Sequence, residues 1–293
     1  MSRDSIADLL KACRVEKGKG FRLQDFDPEG PVPEGLDKEA AESLLAAQVE
    51  RMAALQDMLY AQDRWAVLAL FQAMDAAGKD GAIKHVFSGL NPQGCQVEAF
   101  KAPTATELDH DFLWRHVLHL PQRGRIGIHN RSWYEEVLVA RVHPEVLARQ
   151  RLPAKLVGKH IWDERLEDIA AFERYLARQG VVVLKFFLNV SKQEQKARFL
   201  ARIAEPEKNW KFNAGDVAER RHWDAYQAAY EEAIRATATP ASPWYVIPAD
   251  RKWLTRLLVS EAILQAMEKL DLHYPHLAES ERQALERARM ELE

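Results

Sequence analysis

The chain has 293 residues, 47% hydrophobic and 29% charged, with a formal net charge of −3. That length suits one large α/β domain or two small ones, and the acidic balance argues against an extended nucleic-acid surface while leaving room for a local basic groove. Two cysteines, Cys13 and Cys95, give no disulfide framework or Cys-based metal site. No apolar run is long enough to span a membrane and residues 1–10 lack a signal-peptide pattern, so a cytoplasmic location is expected, with neither nucleic acid nor membrane as partner.

Residues 1–35 carry Gly18, Gly20, Gly30, Pro28, Pro31 and Pro33 and read as an N-terminal arm, not a domain. Their basic cluster, Arg14, Lys17, Lys19 and Arg22, suits either a solvated terminus or a polyanion contact. Over residues 36–61, Leu44, Leu45, Val49, Met52, Leu55 and Leu59 recur at three- and four-residue spacing, which predicts an amphipathic helix.

That helix leads into WAVLALFQAMDAAGKDGAIK at residues 65–84. An apolar strand, a turn of small residues, Gly78-Lys79 and a helix over residues 78–88 form the context of a phosphate-binding loop. The match to G-x-x-x-x-G-K-[ST] is partial: Ala73 stands at the first Gly and Asp80 at the hydroxyl position. Asp75 lies inside the loop, where a carboxylate repels phosphate unless a metal ion lies between them. By itself the segment is equally a tight strand-to-helix turn with a solvated lysine.

Farther on, residues 91–94 read as a turn and residues 95–100 as a strand, and Thr104 with Glu107 fits a capping box for a helix reaching residue 120. Residues 124–129 are a third strand, with Asn130-Arg131-Ser132 at its carboxyl end, where ligand groups collect in open parallel sheets. A helix over 133–141 carries Glu135 and Glu136; residues 147–159 are irregular and basic; residues 162–179 are an amphipathic helix. The apolar run at 181–188 reads as a central parallel strand covered on both faces. Ser191 with Glu194 fits a capping box, opening a helix with Lys192, Lys196, Arg198 and Arg202. Asp216 with Glu219 starts a helix reaching residue 237, residues 244–247 are a last strand, and Asp250 caps the long final helix. The alternation implies one doubly wound domain over residues 36–293, with residues 192–216 as a candidate lid.

With these segments in place, the chain resembles the polyphosphate kinase 2 family. The resemblance rests on MDAAGKDGAIKHVFSGLNPQGCQVEAFKAPT, ELDHDFLWR, GRIGIHNRSWYEEVLVARVHP, LKFFLNVSKQEQKARFLAR and WYVIPADRKW, which cover most of residues 65–255. It implies an α/β fold, a P-loop kinase-like three-layer sandwich with a central parallel sheet and a helical lid. It also implies phosphoryl transfer between inorganic polyphosphate and nucleotides with Mg²⁺ or Mn²⁺. The form with NPQGCQV and IHNRSWYEEVLVARVHP is most similar to the subgroup that accepts both AMP and ADP, making ADP and ATP. No base-reading residue is identifiable, so guanine nucleotides stay open as acceptors. A homo-oligomer is the expected assembly.

The expected roles follow. Backbone N–H groups over Ala76, Ala77, Gly78 and Lys79 hold phosphate, with Asp80, Gly81 and Lys84 on the opening turns of the helix. Lys79 acts on a transferring or bridging oxygen; the resemblance implies Asp75 as the metal ligand, with a turn carboxylate as the alternative. Arg131 matches phosphate oxygens bidentately. Asn130 stands where another subgroup carries Asp, so it can hold phosphate or a metal-bound water without adding charge. Glu136, or else Glu135, is the candidate for that charge, against an ordinary surface or ion-pair role. Lys192, Arg198 and Arg202 would face polyphosphate from the lid helix, against a solvated helix face, and Lys211 and Asp216 would help close the lid over substrate. The alternative functions are an ATP-dependent nucleotide kinase and a catalytically inactive polyphosphate-binding protein.

Overall fold

Six strands form one sheet: β1 (Arg14–Val15), β2 (Ala66–Ala73), β3 (Cys95–Ala99), β4 (Ile126–Asn130), β5 (Val181–Asn189) and β6 (Trp244–Pro248). Their spatial order is β1-β6-β5-β2-β4-β3. The computed structural model describes residues 3–293, apart from the side chains of residues 3, 4, 211 and 214. Strands β2 to β6 run parallel; β1, contributed by the arm, pairs antiparallel with β6 through Arg14↔Tyr245 and Val15↔Trp244. The expected parallel sheet therefore gains an antiparallel edge.

The helices follow in chain order: α1 (Arg3–Cys13), α2 (Lys38–Gln62), α3 (Lys79–Val86), α4 (Ala105–Leu108), α5 (Trp114–Val117), α6 (Glu135–Val142), α7 (Pro144–Ala148), α8 (Ile161–Arg178), α9 (Lys192–Ala204), α10 (Ala214–Glu219), α11 (Trp223–Thr237), α12 (Lys252–Glu268) and α13 (Glu279–Leu292). Helix α12 packs on α1, α2 and α3, and α11 packs on α6 and α8, so the sheet is the middle of three layers. Burial on both faces explains why β2 and β5 read as continuous apolar runs. None of the described helices is long and apolar enough to cross a membrane.

One charge interrupts that pattern. Lys185, in the middle of β5, is fully buried and meets Glu173 of α8 at 2.5 Å. Its ammonium also donates to the Thr237 carbonyl at 2.8 Å and the Tyr134 hydroxyl at 3.3 Å. The same carboxylate accepts from Tyr134 and Trp133, so α6, α8 and α11 are tied through β5. A buried ion pair persists only with such full hydrogen bonding.

Several local expectations are corrected by competing side-chain bonds. The Thr104–Glu107 capping box forms, but its helix stops at Leu108, and α5 begins only at Trp114. Between them the Asp111 carboxylate accepts from the Leu113 amide at 2.9 Å, a local turn that competes with helix. Ser191 caps α9, yet Glu194 turns its carboxylate to Arg198 instead of completing the box. Asp250 does not cap α12; it accepts from the Ser191 amide at 2.8 Å and so ties α9 to the end of β6. Asn213, not Asp216, caps α10, and a short turn separates α10 from α11.

Candidate active site

The carboxyl ends of β2, β4, β5 and β6 converge on the turn between β2 and α3. That turn needs left-handed backbone at Ala76 (φ 61°) and Gly78 (φ 110°). The second suits glycine; the first is uncommon for a residue with a Cβ and marks a loop held by its surroundings. Gln195 donates to the Asp75 carbonyl at 2.8 Å, and Arg198 donates to the carbonyls of Ala76 (3.1 Å) and Ala77 (2.6 Å). Because a peptide's C=O and N–H point in opposite directions, these bonds turn the amides of Ala76 and Gly78 away from α9. The amide of Ala77 is used within the turn, donating to the Met74 carbonyl. The first-turn amides of α3 add the partial positive charge of a helix start.

Lys79 is half-buried and donates to the Ala73 carbonyl at 3.0 Å. Burial first, and then the Arg131 guanidinium, push its proton affinity down. Arg131 leaves β4 with φ 69°, its amide bonded to the Phe71 carbonyl, and sets its guanidinium 3.5 Å from the Asp75 carboxylate. Glu135 and then, against burial, Asp75 raise its proton affinity, so it is a permanent cation. Asn130 donates to the Asp80 carboxylate at 2.7 Å.

Two cavities meet here. The larger, about 630 Å³, is lined by the loop, Asn130, Arg131 and Arg202, with Lys101, Lys208, Lys252 and Arg256 around it. The smaller, about 370 Å³, is lined by Glu135, His143, Glu219, Tyr226 and Tyr230, with apolar Leu138 and Val139. Asp75 and Arg131 belong to both. Asp216 faces the larger cavity 3.8 Å from Arg202; burial and then the Asp75 charge raise its pKa.

Of the residues singled out in the sequence, Asp75 to Gly81, Asn130, Arg131, Arg198 and Arg202 come together around the larger cavity. Arg198, however, spends its donors on protein: Nε on Glu194, Nη1 on the loop carbonyls, and Nη2 on the carbonyls of Ala249 and Asp250. It lines the larger cavity, but its five donors are all bonded to protein, so it braces the loop. Glu136 is corrected: it is buried between Arg115 (3.5 Å) and Arg165 (3.7 Å) and lines neither cavity. Its neighbour Glu135 faces the smaller cavity, accepting from Gln72 at 2.9 Å. Lys84 is exposed and outside both linings, and Lys192 lies 5.8 Å over the Trp223 ring. The Lys211 side chain lies outside the described residues. Sequence reasoning missed Lys252 and Arg256, although two cations four apart opening a helix after a parallel strand were a usable signal.

The donor set also bears on a metal ion. Among the described residues no three His, Cys, Asp or Glu side chains form a cage. A single loop carboxylate, Asp75, opening on a cation-lined cavity suits Mg²⁺, which is held by one or two carboxylates together with substrate phosphates and water.

Comparison with known proteins agrees with this geometry. The family model described as Polyphosphate kinase 2 (PPK2) matches residues 35–275. An ADP-polyphosphate phosphotransferase of Rhodopseudomonas palustris is 54% identical over 96% of this chain and 98% of its own. An AMP/ADP-polyphosphate phosphotransferase of Meiothermus ruber is 45% identical over 91% of this chain and 96% of its own. The crystal structure of polyphosphate kinase 2 from Arthrobacter aurescens TC1 superposes with a TM-score of 0.85 at 40% identity, covering 96% of this chain and 95% of that one. Fold, loop and sequence agree: this chain belongs to the polyphosphate kinase 2 family.

Proposed function

We propose that the protein transfers phosphoryl groups from inorganic polyphosphate to AMP and ADP, making ADP and ATP. The observation that carries this reading is the pair of cavities meeting at Asp75 and Arg131, one ringed by cations and the other lined by tyrosines, apolar groups and acids. Polyphosphate occupies the cationic cavity, whose Lys101, Lys208, Lys252 and Arg256 extend the positive charge beyond the loop. An ATP donor would bring a base and ribose, for which a cavity ringed by seven basic side chains beyond the loop, Arg131, Arg198 and Arg202 included, is a poor match. The acceptor nucleotide occupies the smaller cavity and presents its terminal phosphate at the shared wall. The relatives' names support this reading: one is an ADP- and the other an AMP/ADP-polyphosphate phosphotransferase.

Phosphoryl transfer asks the protein for position and charge, with little covalent chemistry of its own. The amides of Ala76 and Gly78 and the start of α3 hold the donor end. Lys79 leaves the Ala73 carbonyl for a phosphate oxygen, whose charge restores the proton affinity that burial lowers. Arg131, between the cavities, orients donor and acceptor together. Asp75 would hold Mg²⁺, or Mn²⁺, which supplies neutralisation of the charge on the phosphates. Arg202 and Asp216 pair across the lid and so limit water entry.

A nucleotide time course from AMP, polyphosphate and Mg²⁺, with adenylate kinase excluded, tests the reading. ADP should appear first and ATP follow. Use of ADP but not AMP removes the dual-acceptor claim; product formed only when ATP is the donor overturns the polyphosphate assignment.

A further inference from the structure

Helix α9 grips the phosphate loop from behind, and it does so with two side chains of different character. Arg198 is fixed by five acceptors, four of them backbone carbonyls in the loop and after β6, so its hold does not depend on Arg220. Gln195, one turn earlier and 1% exposed, is different. Its Nε2 donates to the Asp75 carbonyl at 2.8 Å. Its Oε1 accepts from Arg220 Nη1 at 2.5 Å, and that guanidinium also donates to the Lys192 carbonyl at 3.1 Å.

Arg220 directly follows α10, where the outer part of the candidate lid, residues 205–216 beyond α9, returns to the body of the domain. A single buried carboxamide therefore connects the lid's return to the peptide that carries Asp75. Only one orientation of that amide satisfies both partners, since the flipped form would set NH₂ against a guanidinium and oxygen against a carbonyl. The peptide it holds leads into Ala76, whose left-handed φ needs outside support. If Arg220 withdraws, Gln195 loses the partner that fixes its rotamer, and the Asp75 peptide loses its outer hydrogen bond.

We propose that Gln195 is a positioning residue for phosphoryl transfer, coupling the lid through Arg220 to the loop conformation that aims Asp75. This rests on the phosphotransferase reading above for its consequence in turnover, but the coupling itself belongs to the ligand-free chain. The link makes lid position and loop order one event: with the lid's return in place the loop is held ready, and with it displaced the carboxylate that would hold Mg²⁺ is loosened.

Gln195→Met keeps length and apolar packing while removing both bonds; Arg220→Met removes only the lid end. Hydrogen exchange on the ligand-free proteins should show the Ala77 amide, which donates to the Met74 carbonyl, exchanging about tenfold faster in Gln195→Met, with the sheet unchanged. With polyphosphate and ADP, kcat should fall about tenfold, and half-maximal activity should need several-fold more Mg²⁺; because both residues also line the smaller cavity, KM for ADP is not the deciding readout. The double variant should fall no further than Gln195→Met alone, because the two residues act in series. Gln195→Glu, which keeps the acceptor for Arg220 and loses the donor, guards against a folding defect and should loosen the loop to the same degree. Unchanged exchange at the Ala77 amide, or effects of the two residues that multiply, would overturn the coupling. An inactive wild-type protein would count against the phosphotransferase reading, while the exchange result would still decide this one.

Discussion

Lys185 and Lys79 are both pushed towards the neutral form by burial, and the similarity ends there. Lys185 sits in the middle of β5 with a carboxylate, a carbonyl and a hydroxyl around its three protons. Lys79 donates to a single carbonyl; burial and then Arg131 lower its proton affinity, while the Asp75, Glu135 and Asp80 carboxylates oppose the shift from a distance, none of them accepting a hydrogen bond from it. The first lysine is electrostatically complete and has nothing to offer a ligand. The second is held incomplete by the fold, which leaves it ready for an anion. Burial of a charge thus marks structure at one place and chemistry at the other, and the count of satisfied donors tells them apart.

Substituting each lysine should break the two roles cleanly. Lys185→Met leaves Glu173 buried without its counter-charge and should cost about 3–5 kcal/mol of stability, read by denaturant unfolding. Turnover per folded molecule should stay close to wild type; a selective loss of kcat would place Lys185 in the chemistry. Lys79→Met should do the reverse. Its kcat should fall about 10²–10³-fold, the scale of losing one preorganised donor to a developing charge. Its unfolding midpoint should move little, and near wild-type turnover at saturating substrates would remove Lys79 from the reaction.

Asp75 sharpens the contrast from the acidic side. Like Glu173 it faces a cation, but at 3.5 Å from Arg131 rather than 2.5 Å from Lys185, and it is partly exposed. It should therefore be available to a metal ion. Asp75→Asn should raise the Mg²⁺ needed for half-maximal rate by about tenfold, with a smaller change in stability. An unchanged Mg²⁺ titration would leave Asp75 as a turn carboxylate.

The same distinction explains what the sequence could and could not reveal. The runs in β2 and β5 disclosed the central strands because both faces are buried. The Gly78-Lys79 turn and Arg131 were legible because strand ends, glycine and cations have local signatures. Glu135 and Glu136 could not be separated, since adjacent helical residues point about 100° apart and only packing decides which faces the cavity. The bracing role of Arg198 was hidden for a related reason: four of its acceptors are carbonyls from two segments far apart in the chain, and backbone partners leave no pattern in sequence. The two-residue β1 is too short for any periodicity, and the smaller cavity is assembled from β2, α6, α9 and α11.

The smallest expected effects lie among the outer cations, where charge is neither buried like Lys185 nor focused like Lys79. Arg202 is a quarter exposed and pairs only loosely with Asp216. Lys252, exposed at the start of α12, has its proton affinity lowered first by desolvation and then by Arg198, while Glu194 opposes the shift. These groups line the cavity beyond the loop, so they should meet successive phosphates of a long chain rather than the one being transferred. Arg202→Gln and Lys252→Gln should each raise KM for polyphosphate a few-fold, leaving kcat and KM for ADP nearly unchanged. Adding salt should weaken wild-type polyphosphate use and do so less in a variant lacking both charges, because exposed attraction is screened within a Debye length of about 8 Å at physiological ionic strength. Equal effects on both substrates would move these cations to the shared wall beside Arg131, and an unaltered salt dependence would remove them from the polyphosphate path.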